Sequence, residues 1–406
     1  MRSYFKSNKF SFLWIALAIT LAQVFTLSLL TGQKSFSEAY DKFCTWDCVN
    51  YARIAEESYP RDLNAPNVYP IHYGFFPGLP LASKLVIKIT GLDRQKATVL
   101  TSQLFAIGFW YYVLALLALL GISLPLSLVV IGFLLSYPSA FYLINGYSES
   151  AFLMTLLGFI YWTLRGKKGD LAIASLHGFV MAATRIVGLP LVLLPLLIFF
   201  LKNSSSFSKI FKNWRDFIPS GIVCLVASLG AISFFVFCNY SNGHWNSYMM
   251  AQAKGWGITP NYLFFLDERT YHLFFPSIED FIGFNPLSVP LFLMLLVFAV
   301  VCEAFQYKII GSHGLRVRLI FYIAGLLLFL IPAVGLVNSN YQSMMRYTLC
   351  STVLVSLAFF PTLRNLYDHF PRLRLKALVI AVLIIFCQLM LEGVFGFRSA
   401  HFIWVS

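Results

Sequence analysis

Charge is what this chain has least of. Asp, Glu, Lys and Arg make up 12% of its 406 residues, about half the share of an average soluble domain. Familiar nucleotide and hydrolase signatures are missing too. There is no Gly-Lys-Ser/Thr phosphate loop, no Gly-x-Gly-x-x-Gly, no Gly-x-Ser-x-Gly and no His-Glu-x-x-His. No Asp-x-Asp pair is present to hold a metal-bound nucleotide sugar. These absences argue against an ATPase, a serine hydrolase, a zinc protease and a nucleotide-sugar enzyme. The seven cysteines are scattered, and only Cys44 and Cys48 lie close together. No histidine cluster accompanies them, so neither a zinc site nor any other metal site is expected. A disulfide between them needs that loop outside the cytosol, and i,i+4 spacing on a helix suits one poorly.

What is present is apolar. Hydrophobic residues make up 59% of the chain, and the mean hydropathy is +0.74. Several runs reach the roughly 20 residues that a helix needs to cross a bilayer. The expected fold is all-α and polytopic, a single domain over 1–406. About eleven transmembrane helices are expected, near 11–31, 97–120, 124–144, 148–164, 171–184, 187–201, 217–238, 288–306, 317–337, 346–361 and 376–395. The first run is too long for a signal-peptide core and lacks a small-residue cleavage site, so it reads as a retained helix. Residues 75–90 are apolar but broken by Pro77, Pro80, Lys84 and Lys88. They read as an interfacial helix within a first outer loop, 32–96. A second large outer loop spans 239–287.

The net charge of +13 is read as topology, not as nucleic-acid binding. With the N-terminus in the cytoplasm, the cytoplasmic segments hold 17 of the 30 Lys/Arg and four of the 17 Asp/Glu. The rest of the chain is then balanced, and the whole excess lies inside. This orientation gathers the polar exceptions on one outer face. They are the segment after the first helix, the NGYSES corner at 145–150, Arg185, the 239–287 loop and the SMMR turn at 343–346.

Asp47 follows Trp46 just after the first helix. If 46–59 is helical, Asp47, Asn50, Tyr51 and Ile54 share a face and Arg53 pairs with Glu57. Trp46, Tyr51 and Tyr59 suit a headgroup belt, with Asp47 in a first helical turn. The sharper reading makes Asp47 a general base at the membrane surface; spacing alone favours the belt. His72 and Tyr73 precede an aromatic-proline corner that anchors the chain, and His72 adds a hydrogen-bond donor. Asn145-Gly146 makes a turn beside Tyr147, and Ser148 can cap the next helix. Glu149 then opens an apolar helix, either as a helix-terminal acid or as a functional one. Arg185 and Arg346 either snorkel or form an anion site. Gln252 and Trp256 suit a sugar and equally suit an interface.

Read in order, WDCVNYARIAEESYP, GFFPGLPL, NGYSES, LHGFVMAATRIVGLPLVLLPL, MMAQAKGWG and SMMRYTL resemble the PIG-V-like family, the second mannosyltransferases of GPI-anchor assembly, which has prokaryotic members. That family is of the multi-helix GT-C glycosyltransferase type. The matching blocks run from about Phe43 to Tyr347. The resemblance implies an inverting transferase that moves a mannosyl or related hexosyl residue from a polyprenyl- or dolichyl-phosphate sugar to a lipid-linked or glycan acceptor on the lumenal or periplasmic side. It places Asp47 at the catalytic position and maps its Thr-Arg and Ser-x-x-Arg-Tyr blocks onto Thr184, Arg185, Ser343, Arg346 and Tyr347. Relatives often carry an acid shortly before Phe-Phe-Pro, where this chain has Pro70 and Ile71. His72 or Glu149 is the expected substitute. Trp46, Tyr51, Tyr147, Gln252 and Trp256 are expected to meet sugar or acceptor, and His72, Tyr73, Arg185 and Arg346 the donor.

The chemistry is self-consistent. A sugar on a lipid phosphate already has a good leaving group, so the site needs a base and positive charge. No cofactor or nucleic-acid partner is expected. The rivals are a flippase or transporter of polyprenyl-linked sugars, which needs no base, and a non-catalytic membrane subunit. A bacterial plasma membrane is the expected location, with the endoplasmic reticulum as the alternative. The charge distribution predicts that an epitope inserted after Gly91 is reached by antibody from the outer side. One inserted after Gly166 is expected to be reached only from the cytoplasm, and the reverse pattern would invert the topology.

Overall fold

The computed structural model describes residues 9–61, 70–203, 214–267, 288–312, 314–337, 343–370 and 374–401. All regular structure among them is helical. The helices are α1 Lys9–Leu30, α2 Phe36–Asp41, α3 Asp47–Glu57, α4 Gly78–Thr90, α5 Arg94–Leu119, α6 Leu124–Leu135, α7 Glu149–Arg165 and α8 Lys168–Thr184. They continue as α9 Gly188–Leu191, α10 Leu194–Asn203, α11 Ile218–Asn242, α12 Ser247–Trp256, α13 Ser288–Ile309, α14 Leu315–Leu336, α15 Met344–His369 and α16 Arg374–Ala400. The stretch 268–287 of the expected second outer loop lies outside the described residues.

Among the described residues, six helices are long and apolar enough to cross a bilayer: Phe10–Leu30, Arg94–Leu119, Arg215–Asn242, Leu291–Ile309, Leu315–Leu336 and Met344–His369. The chain is an integral membrane protein of the expected all-helical class. The expected number, eleven, is not established by these lengths. Proline explains two of the shorter pieces, since it cannot donate to the preceding turn. The apolar run 124–144 stops at Leu135 and resumes, past Pro138, as the 3-10 turn Ala140–Leu143. The run 187–201 is divided into α9 and α10, which contain Pro190 and Pro195.

Burial sorts the spans into centre and rim. The apolar window of α15 is 78% buried, whereas that of α1 is 22% buried. Around α15 pack α13 and α14, and α5 lies between α1 and α7. The α8–α11 pair is joined by small residues. A Cβ on Gly230 would stand 2.0 Å from the Phe179 carbonyl oxygen. Only a bare backbone fits there, the close approach by which helices pack in lipid without a hydrophobic drive between them.

Some polar groups inside the bundle are paired across helices. Trp110 Nε1 donates to Gln23 Oε1 at 2.9 Å. Glu303 accepts from Arg318 at 2.6 and 2.9 Å and from Thr362 at 2.6 Å. Thr362 lies about 27 Å along α15 from its first residue. The Glu303 bonds therefore lie at the end of α15 far from the site.

The segment between α1 and α5, expected as a first outer loop, holds α2, α3 and α4. Helix α4 buries Leu79, Pro80 and Ser83 and exposes Leu81, Leu85 and Ile89. That two-sided pattern fits a helix lying along an interface. Helix α3 buries Tyr51 and Ile54 against Phe75, Leu79 and Ala151, the face its spacing predicts. The expected Arg53–Glu57 pair is replaced: Glu56 and Glu57 each accept from Arg94 at 2.7 Å, because α5 begins beside them.

Candidate functional site

Four ionisable residues meet where α3, α7, α8 and α15 begin or end. Asp47 is the first residue of α3, Glu149 the first of α7, and Arg346 lies in the first turn of α15. Arg185 closes α8 in extended backbone, φ −152° and ψ 143°. Two of these entries use left-handed backbone on a residue with a side chain. Trp46 precedes Asp47 at φ 49°, and Ser343 starts the turn of Arg346 at φ 64°. Such conformations are uncommon without glycine, and they collect at sites whose surroundings hold them.

The charges form a chain. Asp47 Oδ2 accepts from Arg346, and Glu149 Oε1 accepts from Arg185. Arg346 Nε also lies 2.7 Å from that Glu149 oxygen, without aiming its N–H at it. Two carboxylates and two guanidiniums balance to zero. The side chains of Asp47, Arg346, Arg185 and Glu149 are 16, 11, 8 and 0% exposed. Aromatic faces complete the enclosure. Arg185 and Arg346 approach the Tyr347 ring at 5.0 and 5.3 Å, and Tyr147 lies 5.3 Å from Arg346.

Magnitudes show what holds Arg346. A cation at a helix N-terminus opposes the helix dipole by about 0.3–1 kcal/mol. Breaking a buried pair costs about 3–5 kcal/mol. The two carboxylates therefore decide its place. Both acids stand at helix N-termini and Arg185 at a C-terminus, so the dipoles favour the other three.

A cavity of about 80 Å³ opens on this cluster, walled by Asp47, Tyr51, Arg185, Tyr248, Arg346 and Tyr347, with Gln252 and Trp256 at its side. Burial holds the Tyr51 phenol well above its ordinary value, with Arg185 and Arg346 partly opposing. It remains a hydroxyl at neutral pH and donates to Ser148 Oγ at 2.9 Å. Ser148 makes no side-chain cap for α7; its own backbone is helical (φ −81°), which turns the hydroxyl to Tyr51.

Of the other residues singled out in the sequence, Gln252 and Trp256 line this cavity, whereas Glu149, Tyr147, Trp46, Tyr73 and His72 do not. Glu149 is behind the wall, as counter-ion to both arginines. Tyr147 lies under Arg346 and does not reach the cavity. Trp46 is 40% exposed and caps the start of α3. Tyr73 is fully buried, donating to the Pro60 carbonyl at 2.5 Å beside Ser241. His72 is half-buried away from the cavity, and burial, followed by Arg53, lowers its pKa. It is uncharged at neutral pH. Gln252 donates to the Gly74 carbonyl at 3.1 Å, and Trp256 meets Phe75 edge-on at 5.5 Å.

Tyr248 was not singled out in the sequence, although its signal is there. Tyr248, Gln252 and Trp256 recur every fourth residue on one face of α12, and all three wall the cavity. The Cys44–Cys48 pair is a disulfide with Cα atoms 5.1 Å apart. The expected poor geometry assumed a continuous helix; here α3 begins only at Asp47, so the two cysteines are not on one helical run. Among the described residues, no group of three or more His, Cys, Asp or Glu is placed to hold a metal ion.

No protein-family description matches the chain, and no curated protein matches it. Solved structures do. The archaeal oligosaccharyltransferase AglB from Archaeoglobus fulgidus, in complex with an inhibitory peptide and a dolichol-phosphate, aligns with 99% of this chain at 14% identity and a TM-score of 0.50. The Archaeoglobus fulgidus oligosaccharyltransferase tethered to an acceptor peptide aligns over the same share at 15% identity, with a TM-score of 0.49. The chain spans 56% of the length of each. The first likeness gives the fold alone, the membrane helix bundle of that structure.

Replacing Glu149 by Ala is expected to destabilise the protein by about 3–5 kcal/mol, since Arg185 and Arg346 lose a shared buried counter-ion. Thermal unfolding in detergent or nanodiscs reads this directly. An unchanged melting temperature would contradict the charge chain.

Proposed function

We propose that the protein transfers a hexosyl group, mannosyl or closely related, from a polyprenyl- or dolichyl-phosphate sugar to a hydroxyl of a lipid-linked or glycan acceptor. The reaction is placed at the outer or lumenal face of the membrane. The observation that carries this reading is a cavity in which one carboxylate and two guanidiniums meet near α4. The shared fold supports it: a protein of that fold, an oligosaccharyltransferase, was solved with a dolichol-phosphate. So does the disulfide, which suits an oxidising compartment.

In this reading Asp47 takes the proton of the acceptor hydroxyl as its oxygen bonds to the anomeric carbon. The bond from that carbon to the phosphate oxygen breaks, and its electron pair leaves with the lipid phosphate. Attack opposite the leaving group inverts the carbon. Arg185 and Arg346 receive the charge that develops on the phosphate, where a preorganised cation acts with little screening. At rest, Arg346 is paired with Asp47 and keeps an Nε–H that forms no hydrogen bond among the described residues. A donor phosphate that engages Arg346 loosens this pair and frees Asp47 to act as base. Glu149 keeps both arginines in place throughout.

The isoprenoid has a place beside the site. A second cavity, of about 310 Å³, is walled by Ile54, Tyr59, Pro80, Leu81, Phe234 and Phe237, with Lys84 at its edge. The Phe76 and Phe234 rings, 4.7 Å apart, join the walls of the two cavities.

With radiolabelled polyprenyl-phosphate mannose and a mixed lipid extract, Asp47→Asn is expected to reduce label transfer by about 10²–10⁴-fold while donor binding persists. Transfer that survives the substitution would remove Asp47 from the mechanism.

A further inference from the structure

The disulfide lies directly against the proposed base. Cys44 and Cys48 are 3% and 0% exposed, and the ring they close contains Thr45, Trp46 and Asp47. Inside that ring Trp46 adopts φ 49° and ψ −111°, a conformation that costs about 1–3 kcal/mol in a residue with a side chain. Its side chain is 40% exposed, so burial of the indole is a weak source of compensation. The covalent bridge across the same residues restricts the chain to this path.

The bridge also touches the other acidic arm. A Cβ on Gly146 would lie 2.3 Å from Cys48 Sγ and 3.0 Å from Cys48 Cβ. Gly146 has φ +83°, which a bare residue accepts freely. Its N–H donates to Ser102 Oγ at 2.9 Å, and Ser150 Oγ donates to the Ser102 carbonyl at 2.9 Å. Glu149 lies between these two anchored residues. The sulfur of Cys48 is thus seated where the strand of chain bearing Asp47 meets the one bearing Glu149, the two carboxylates that flank Arg346.

We infer that the Cys44–Cys48 disulfide is a positioning element for the reaction, holding the Asp47 carboxylate at its distance from Arg346 and from the acceptor hydroxyl. It touches neither sugar nor phosphate. The inference rests on Asp47 as the base. Reduction adds two electrons and two protons to the bridge, giving two thiols. Trp46 is then released to ordinary backbone and the first turn of α3 frays. Arg185 and Arg346 are held through Glu149 and keep their grip on the donor phosphate.

The test uses the full protein in nanodiscs: untreated, reduced with dithiothreitol, reduced and reoxidised, and as the Cys44→Ser/Cys48→Ser double variant. Alkylation and intact mass count the thiols released. Misplacement by about 1 Å is expected to lower kcat by about 10²-fold, with KM for polyprenyl-phosphate mannose changed less than about twofold. Reoxidation should restore kcat in the wild type, and dithiothreitol should leave the double variant unaffected. A lower melting temperature with kcat preserved would overturn the inference, because the bridge would then be structural only. Hydrogen exchange over residues 44–51 judges the bridge without the reaction. Faster exchange there on reduction is expected, and unchanged exchange in verified reduced protein would overturn the inference. Absence of transfer by the oxidised wild type would overturn the functional reading and leave the exchange arm to decide on the bridge.

Discussion

Arg346 is the residue on which the site depends. It enters at a helix N-terminus, where the backbone disfavours a cation, and it is held by two carboxylates from distant parts of the chain. One is 299 residues away in sequence. Glu149 in turn holds Arg185, so one buried acid fixes two guanidiniums. Four helix ends that share no sequence neighbourhood are thereby drawn to one point. The cluster is neutral at rest, which lets it sit among aromatic side chains without an unpaired charge.

The same neutrality suits the proposed chemistry. In the proposed reaction, a phosphate that draws Arg346 toward itself parts it from Asp47, and the released carboxylate is the proposed base. Donor binding and base release become one event. The small volume of the resting cavity is consistent with this, because part of the space is filled by the Asp47–Arg346 pair itself.

Much of the architecture was legible in composition. Long apolar runs pointed to helices that can span, while the breaks beside Pro138, Pro190 and Pro195 were not located from the sequence. The expectation that α4 is interfacial came from lysines and prolines that a spanning helix would not carry. The polar residues that interrupt apolar runs, Asp47, Glu149, Arg185 and Arg346, pointed to the site because lipid has no water to solvate them. Their mutual pairing was not legible. Ion pairs across 36 and 299 residues depend on how helices cross, and a single sequence carries no record of that. Glu149 was ambiguous for the same reason: only the folded chain puts two arginines on its one oxygen. Tyr248 was missed although its spacing from Gln252 was visible. The expected weakness of a Cys44–Cys48 bridge came from assuming a helix where Trp46 takes left-handed backbone.

The central claim is that the two arginines take the donor phosphate and that doing so parts Arg346 from Asp47. Electron cryomicroscopy of the protein in nanodiscs with a polyprenyl monophosphate tests this most directly. The account predicts phosphate density within about 3 Å of both guanidiniums, hydrogen-bond distance, with the Asp47 carboxylate turned into the cavity. Phosphate bound elsewhere, with the Asp47–Arg346 pair intact, would contradict it.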